Sequence, residues 1–149
     1  MKRFQFPLDR VRRWRQEQAA LEEAKLQRWY AQLAALGEER ARVENERAAS
    51  ERNVLGQASV EARELQALDA YRGHARSKIG EIERRRLKTM AEIERQRQRL
   101  IEARRRAELL ERLKARMFES WQAAADREEE TLAGELYLAK WNSAKWRRR

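Results

Sequence analysis

The chain has 149 residues, of which 40% are charged, and 35 Lys and Arg against 25 Asp and Glu give a net charge of +10. One proline and five glycines are too few for the many turns of a sheet or a barrel, which excludes those folds. The composition is typical of long coiled-coil helices. With no cysteine and one histidine, His74, the chain has no thiol nucleophile and no multi-histidine metal site, and we expect no metal and no cofactor.

The first predicted helix covers about residues 7–54. Pro7 and Asp9 are typical of a first helical turn, because proline lacks only an amide that would be unpaired there and aspartate favours the positive end of the helix dipole. No later proline interrupts the helix. Gly56, in a left-handed C′ position, and Ser59, as an N-cap, predict a turn over about residues 55–59.

The second predicted helix, about residues 60–140, has the clearest periodicity. Alternating steps of three and four residues lead from Leu65 to Ala124 through eighteen positions, thirteen of them apolar. A 3.5-residue period held this long predicts a left-handed supercoil. We therefore predict one all-α domain over residues 1–149, an antiparallel coiled-coil hairpin with a longer second helix and a basic tail at 145–149. A homo-oligomer in which this row of mostly apolar residues, the seam, pairs between chains fits the periodicity equally well.

A turn at Gly56 also predicts the register, in which facing residue numbers sum to about 114 and Val43 lies near Tyr71. The second helix then extends roughly 30 residues, or about 45 Å, beyond the first. Its apolar stripe, which includes Leu110, Met117 and Trp121, would have no partner within the chain, and such stripes usually mark binding surfaces. A turn at Gly73 or Gly80 would leave no such extension.

Charge and motifs bear on the class of function. The sequence has no phosphate-binding glycine loop, nucleophile elbow or zinc-protease motif, so we expect a protein that is not an enzyme. Residues 1–15 carry a net charge of +5, residues 84–116 carry +8 and residues 145–149 carry +4. This basic end favours an acidic partner. A basic coiled coil that binds nucleic acid is the alternative, although we expect no nucleic acid because base-stacking aromatics and a known motif are missing.

Three segments of the chain form a recognisable pattern. The first is the opening Phe4-Gln5-Phe6-Pro7-Leu8-Asp9-Arg10-Val11. The second is the glycine turn near residue 56 followed by Leu65 to Tyr71, and the third comprises Glu108-Leu109-Leu110-Glu111-Arg112-Leu113-Lys114 and Arg127-Glu128-Glu129. Together they resemble the FliJ family, the small coiled-coil proteins of the flagellar type III export apparatus. The acidic ending of that family is replaced here by Thr131-Leu132-Ala133-Gly134-Glu135-Leu136.

The resemblance implies an antiparallel two-helix coiled coil similar to the γ stalk of rotary ATP synthases. It implies a stiff adaptor that binds the centre of the export ATPase ring, promotes assembly of the ring, and couples it to the export gate and export chaperones. Its expected location is cytoplasmic, peripheral to the inner membrane at the flagellar base. The residues implied to meet the ATPase ring are Phe4, Phe6, Arg10, Arg13, Leu110, Met117 and Trp121, and those implied to meet the export gate are Tyr71, Ala75 and Lys78.

Overall fold

The computed structural model describes residues 3–146, with side chains described for residues 3–143. It contains two α-helices, α1 (Asp9–Leu55) and α2 (Ala62–Trp146), of 47 and 85 residues. The helices pack antiparallel and the second is the longer, which confirms the predicted fold. The side chains of the predicted basic tail, residues 145–149, lie outside the described residues.

Helix α1 begins at Asp9, two residues after the predicted start, so Pro7 precedes the helix rather than lying in its first turn. Pro7 and Leu8 form a turn, in which the amide of Asp9 donates to the carbonyl oxygen of Phe6 at 3.2 Å. The first turn of the helix follows, with the amide of Arg12 donating to the carbonyl oxygen of Leu8 at 2.9 Å. The carboxylate of Asp9 thus lies at the positive end of the helix dipole.

The connection between the helices covers residues 56–61 and differs in detail from the predicted turn. No described glycine has a positive φ, so the predicted left-handed conformation of Gly56 is wrong. Glycine is instead favoured because a Cβ at this position would lie 2.7 Å from the carbonyl oxygen of Arg52. At the start of α2 the cap is Glu61 rather than Ser59, since the backbone amide of Glu61 donates to the Glu64 carboxylate at 3.0 Å.

The register in which the two helices pair also differs from the predicted one. Residue numbers sum to 123, not to about 114, in the ion pairs Arg12–Glu111, Arg40–Glu83 and Arg72–Glu51. The predicted register is therefore wrong, and the later connection explains part of the difference, since the residues that flank it, Leu55 and Ala62, sum to 117. Gly73 and Gly80 both lie inside α2, which also excludes the alternative turns.

The chain forms two compact units, Ala19–Glu102 and Met1–Gln18 with Ala103–Arg149. In the unit Ala19–Glu102 the core consists of two apolar clusters. One contains Leu36, Val43, Ala75 and Ile82, with Ile79 packed against it, and the other contains Leu26, Ile93 and Leu100, with Trp29 and Leu33 packed against it. Val43 therefore packs in a cluster with Ala75 and Ile82, whereas the predicted register placed it near Tyr71.

Polar residues also lie on the seam of this unit. Gln96 is buried, and its side-chain amide donates to the carbonyl oxygen of Glu22 at 3.0 Å and to the Glu22 carboxylate. Glu83 accepts ion pairs from Arg40 of α1 at 2.7 Å and from Arg86 of α2 at 2.9 Å. Polar groups at seam positions lower stability but favour one register over others, as expected for a coiled coil.

Candidate functional site

An aromatic cluster lies in the unit Met1–Gln18 with Ala103–Arg149, and we call it the aromatic end. The ring of Phe4 lies edge-on to that of Phe118, with centroids 5.3 Å apart, and 5.9 Å from Trp121. Phe118 stacks on Trp121 at 5.8 Å. Phe6 is buried, whereas Phe118 is 44% exposed. The segment that precedes α1 and one face of α2 thus form an apolar surface that is partly open to solvent.

Ion pairs hold the start of α1 against α2 beside the aromatic end. The guanidinium of Arg12 contacts the carboxylate of Glu111 at 2.7 Å, and the Gln16 amide donates to the same carboxylate oxygen at 2.6 Å. Lys114 lies 3.7 Å from the carboxylate of Asp9. These contacts orient the preceding residues, including Phe4, toward α2.

The contacts between Asp9, Arg12 and Glu111 shift the pKa values of Asp9 and Arg12. The hydrogen bond from Arg12 lowers the pKa of Asp9, and the charges of Arg13 and Lys114 lower it further, against a smaller opposing effect of burial. Hydrogen bonds to Glu111 and Asp9 raise the pKa of Arg12. Both shifts favour the charged forms of Asp9 and Arg12.

Basic side chains, including Arg3 and Lys114, lie beside the aromatic end. By sequence, Met1–Gln18 with Ala103–Arg149 carries +8 of the net charge of +10. An open groove beside the aromatic end is lined by Arg3, Phe4, Gln5, Phe6, Asp9 and Lys114. Arg10 and Arg116 are exposed. The arrangement has the chemistry of a protein-docking surface, with aromatic contacts inside a cationic border.

The residues implied to meet an ATPase ring all lie in this unit, but in different environments. Phe4 and Trp121 are brought into contact, and Phe6 is buried. Arg13 pairs with Asp9 at 3.3 Å and stays largely exposed, as does Arg10. Leu110, Met117 and Trp121 are half-buried. The prediction that their stripe has no partner within the chain is wrong for Trp121, because the shifted register and the segment before α1 bring Phe4 against it.

The residues implied to meet an export gate lie in the unit Ala19–Glu102. Lys78 is exposed and Tyr71 is half-buried, seven residues apart on the same face of α2. Ala75 is only 2% exposed and belongs to the core cluster with Val43 and Ile82. A partner that docks on the packed helices can therefore reach Lys78 and the edge of Tyr71 but not Ala75.

A second apolar surface lies farther along α2, in residues 126–143, which we call the α2 extension. All of its described side chains are exposed. Its large apolar residues are 55–70% exposed, and they are Leu132, Leu136, Tyr137, Leu138 and Trp141. The sequence predictions assigned none of these residues, nor Phe118, to a binding site. The sequence does contain a signal for this apolar surface. Only two charged residues, Glu135 and Lys140, occur between 131 and 141 in a chain that is 40% charged.

The described residues were also compared with the requirements of a metal site and of a membrane span, and they meet neither. Among its residues no group of three or more His, Cys, Asp or Glu side chains is placed to hold a metal ion. No helix there is long and apolar enough to cross a membrane. Comparison with protein-family models, curated proteins and solved structures finds no significant match.

Proposed function

We propose that this protein is a non-enzymatic stalk and adaptor of the flagellar type III export apparatus, as its resemblance to the FliJ family implies. In this proposal it binds the centre of the export ATPase ring, promotes assembly of the ring, and couples it to the export gate and chaperones. One observation carries most of the proposal: in the antiparallel hairpin, the aromatic end joins the start of α1 to a helix α2 that continues beyond it.

The aromatic end supports the ATPase contact by its composition. Tryptophan and arginine are enriched among the residues that dominate binding energy in protein interfaces. Trp121 and Phe118 are accessible here, and Arg10 lies on the surface of the same unit. The complementary surface on the ring would combine an apolar pocket with acidic residues, because a net charge of +8 on this unit steers association toward negative potential.

The surface around Tyr71 and Lys78 is the proposed contact for the export gate. It lies in the other unit, so substitutions there leave the aromatic end untouched. Lys78→Glu is expected to weaken gate binding without altering ATPase binding. The reverse pattern is expected for changes at the aromatic end.

Binding to the purified cognate export ATPase tests the ring contact. Trp121→Ala and Met117→Ala should each weaken binding about tenfold or more, as expected for an interface anchor, with helicity largely retained. Leu109→Ala is the matched control, because Leu109 is a large apolar residue of the same helix that is 65% exposed and outside the aromatic end. Equal affinities for all variants and the parent protein would remove the aromatic end from the proposal.

Nucleic-acid binding is the competing outcome that the net charge of +10 favours. An affinity for DNA or RNA whose logarithm falls linearly and steeply with the logarithm of salt concentration would support it. Binding to the ATPase that survives moderate salt, with no measurable binding to nucleic acid, supports the adaptor.

A further inference from the structure

A further apolar patch lies on α1 and α2 in the unit Met1–Gln18 with Ala103–Arg149, and we call it the lateral patch. It consists of four side chains that are 39–65% exposed, and they are Val11, Trp14, Leu109 and Leu113. None of them belongs to the aromatic end, and the proposed function assigns no role to any of them.

The register brings these four residues to one level of the hairpin. Facing residue numbers sum to about 123, as in the ion pair of Arg12 with Glu111. Trp14 of α1 therefore lies level with Leu109 of α2. By the same sum, Val11 lies level with residues 112 and 113.

The helical period brings them to one side of the hairpin. Arg12 and Gln16 both bond to Glu111, and this contact marks one side of the seam. Trp14 is two residues from both Arg12 and Gln16, and two residues along an α-helix turn the side-chain direction by about 200°. Leu109 is likewise two residues from Glu111, on the other helix. Both helices therefore present the lateral patch on the side away from this contact.

Arginines border the lateral patch on α2. Side chains three and four residues apart on a helix are neighbours, which gives Leu109 four such neighbours. One of them is Leu113, and the other three are the exposed Arg105, Arg106 and Arg112. Arg112 also pairs with Glu108 at 2.6 Å. The exposed Arg116 lies two turns beyond Leu109, so this apolar surface has a cationic border.

We infer that the lateral patch binds the surface of a membrane that contains anionic lipid. Tryptophan and leucine side chains favour the boundary between lipid headgroups and acyl chains. Arginine pairs strongly with phosphate, and basic residues near an anionic leaflet add to membrane affinity. The guanidinium of Arg15 lies 4.5 Å from the centre of the Trp14 ring, which places a further cation beside the tryptophan.

Both parts of the patch are needed for this assignment. The arginines favour a partner with negative charge. The apolar centre favours a lipid surface over the phosphate backbone of a nucleic acid, which offers no apolar layer to Leu109 or Leu113. Because the four apolar side chains lie on one side of the hairpin, they can enter the same surface together.

Cosedimentation with vesicles tests this inference. Vesicles of phosphatidylglycerol and phosphatidylcholine in equal amounts are compared with vesicles of phosphatidylcholine alone, at about 0.1 M salt, where charges act over about 10 Å. The full chain should bind the anionic vesicles at least about tenfold more tightly than the neutral ones.

Substitutions separate the lateral patch from the net positive charge of the chain. Leu109→Ala should weaken binding to anionic vesicles about 5- to 30-fold, because it removes an apolar contact with the acyl region. Arg105→Glu should weaken it by a similar factor, because repulsion replaces attraction. The matched controls Leu87→Ala and Arg76→Glu make the same changes at exposed positions of α2 in the other unit and should bind like the parent chain. Circular dichroism confirms that every variant retains its helices.

Tryptophan fluorescence locates the contact. Lipids brominated along their acyl chains quench a tryptophan that enters the membrane, so the parent chain should be quenched by anionic brominated vesicles. Trp14→Phe should remove most of this quenching while it keeps an apolar ring at the position. Binding through the basic tail, residues 145–149, would leave the quenching unchanged and would contradict the inference.

Two further outcomes would overturn it. One is a parent chain that does not bind anionic vesicles, including the case in which it binds duplex DNA through Arg105 instead. The other is a pair of patch variants, Leu109→Ala and Arg105→Glu, that bind vesicles as their controls do. The inference is independent of the proposed function, because no measurement here includes the export ATPase. The ATPase assays contain no lipid, so Leu109→Ala remains a valid control there.

Discussion

Ile82 is the most deeply buried large side chain of the described residues, at 1% exposure, in the cluster with Leu36, Val43 and Ala75. Ile82→Ala removes three buried carbon atoms, a loss of about 2.4 kcal/mol at about 0.8 kcal/mol each. The remaining cavity adds to this cost. The higher helix propensity of alanine returns less than about 0.5 kcal/mol. We therefore expect the free energy of unfolding to fall by about 2–4 kcal/mol.

Thermal unfolding followed by circular dichroism at 222 nm measures this loss. For a chain of this size each kcal/mol lowers the melting temperature by about 2–4 °C, so a shift of roughly 4–16 °C is expected. Leu87→Ala is the control, since Leu87 lies five residues away on the same helix but is 66% exposed. It should change stability by less than about 0.5 kcal/mol. Equal shifts in melting temperature for the two variants would refute the assignment of Ile82 to the core between the helices.

Three further predictions concern polar and aromatic contacts. Gln96→Ala removes two hydrogen bonds to Glu22 and should lower the free energy of unfolding by about 1–2 kcal/mol in urea titrations, whereas the exposed Gln98→Ala should cost less than half as much. Phe4→Ala removes contacts with two rings and should speed hydrogen exchange at the Asp9 amide about tenfold, while exchange at residues 75–82 stays unchanged, which mass spectrometry resolves. The pKa of Asp9 is lowered in the folded protein, so its contribution to stability is present above its ordinary pKa and is lost as pH falls through the folded value. Asp9→Asn should therefore be less stable than the parent chain at pH 7 but no less stable at pH 2, and a difference that persists at pH 2 would contradict this assignment.

The residues of α2 that form the seam could be predicted from the sequence, whereas the register between the two helices could not. The period from Leu68 to Trp121 predicts which residues turn inward, because burial of one helix face depends mainly on local spacing. The last predicted seam residue, Ala124, is exposed and Ala125 is buried instead, while the first, Leu65, is 47% exposed. Each of these errors lies at an end of the seam, where the regular pairing of the two helices stops.

The register depends on the connection between the helices, which has no periodic signal. A few residues decide where it ends, through the close approach of Gly56 to Arg52 and the cap formed by Glu61 and Glu64. The start of α2 at Ala62, two residues later than predicted, accounts for only part of the change in register. A helical period alone carries no information on which residues of the two helices face each other.

The candidate site was predicted only in part, because some of its contacts involve residues that lie outside the helical period. Phe4 and Trp121 were named from a sequence resemblance, and the structure places them in contact. Phe118 was missed because it lies off the seam and packs against the segment before α1, which has no helical period. Ala75 shows the opposite error, since a residue implied to contact a partner lies in the core.

The rate of ATP hydrolysis by the cognate flagellar export ATPase, measured with and without this protein, tests the central claim most directly. Electron microscopy of the same samples reports ring assembly. The adaptor proposal predicts faster hydrolysis and more rings when the protein is added, with both effects reduced by Trp121→Ala and retained by Leu109→Ala. Unchanged hydrolysis and unchanged ring assembly at low salt, with the parent protein fully helical, would contradict it.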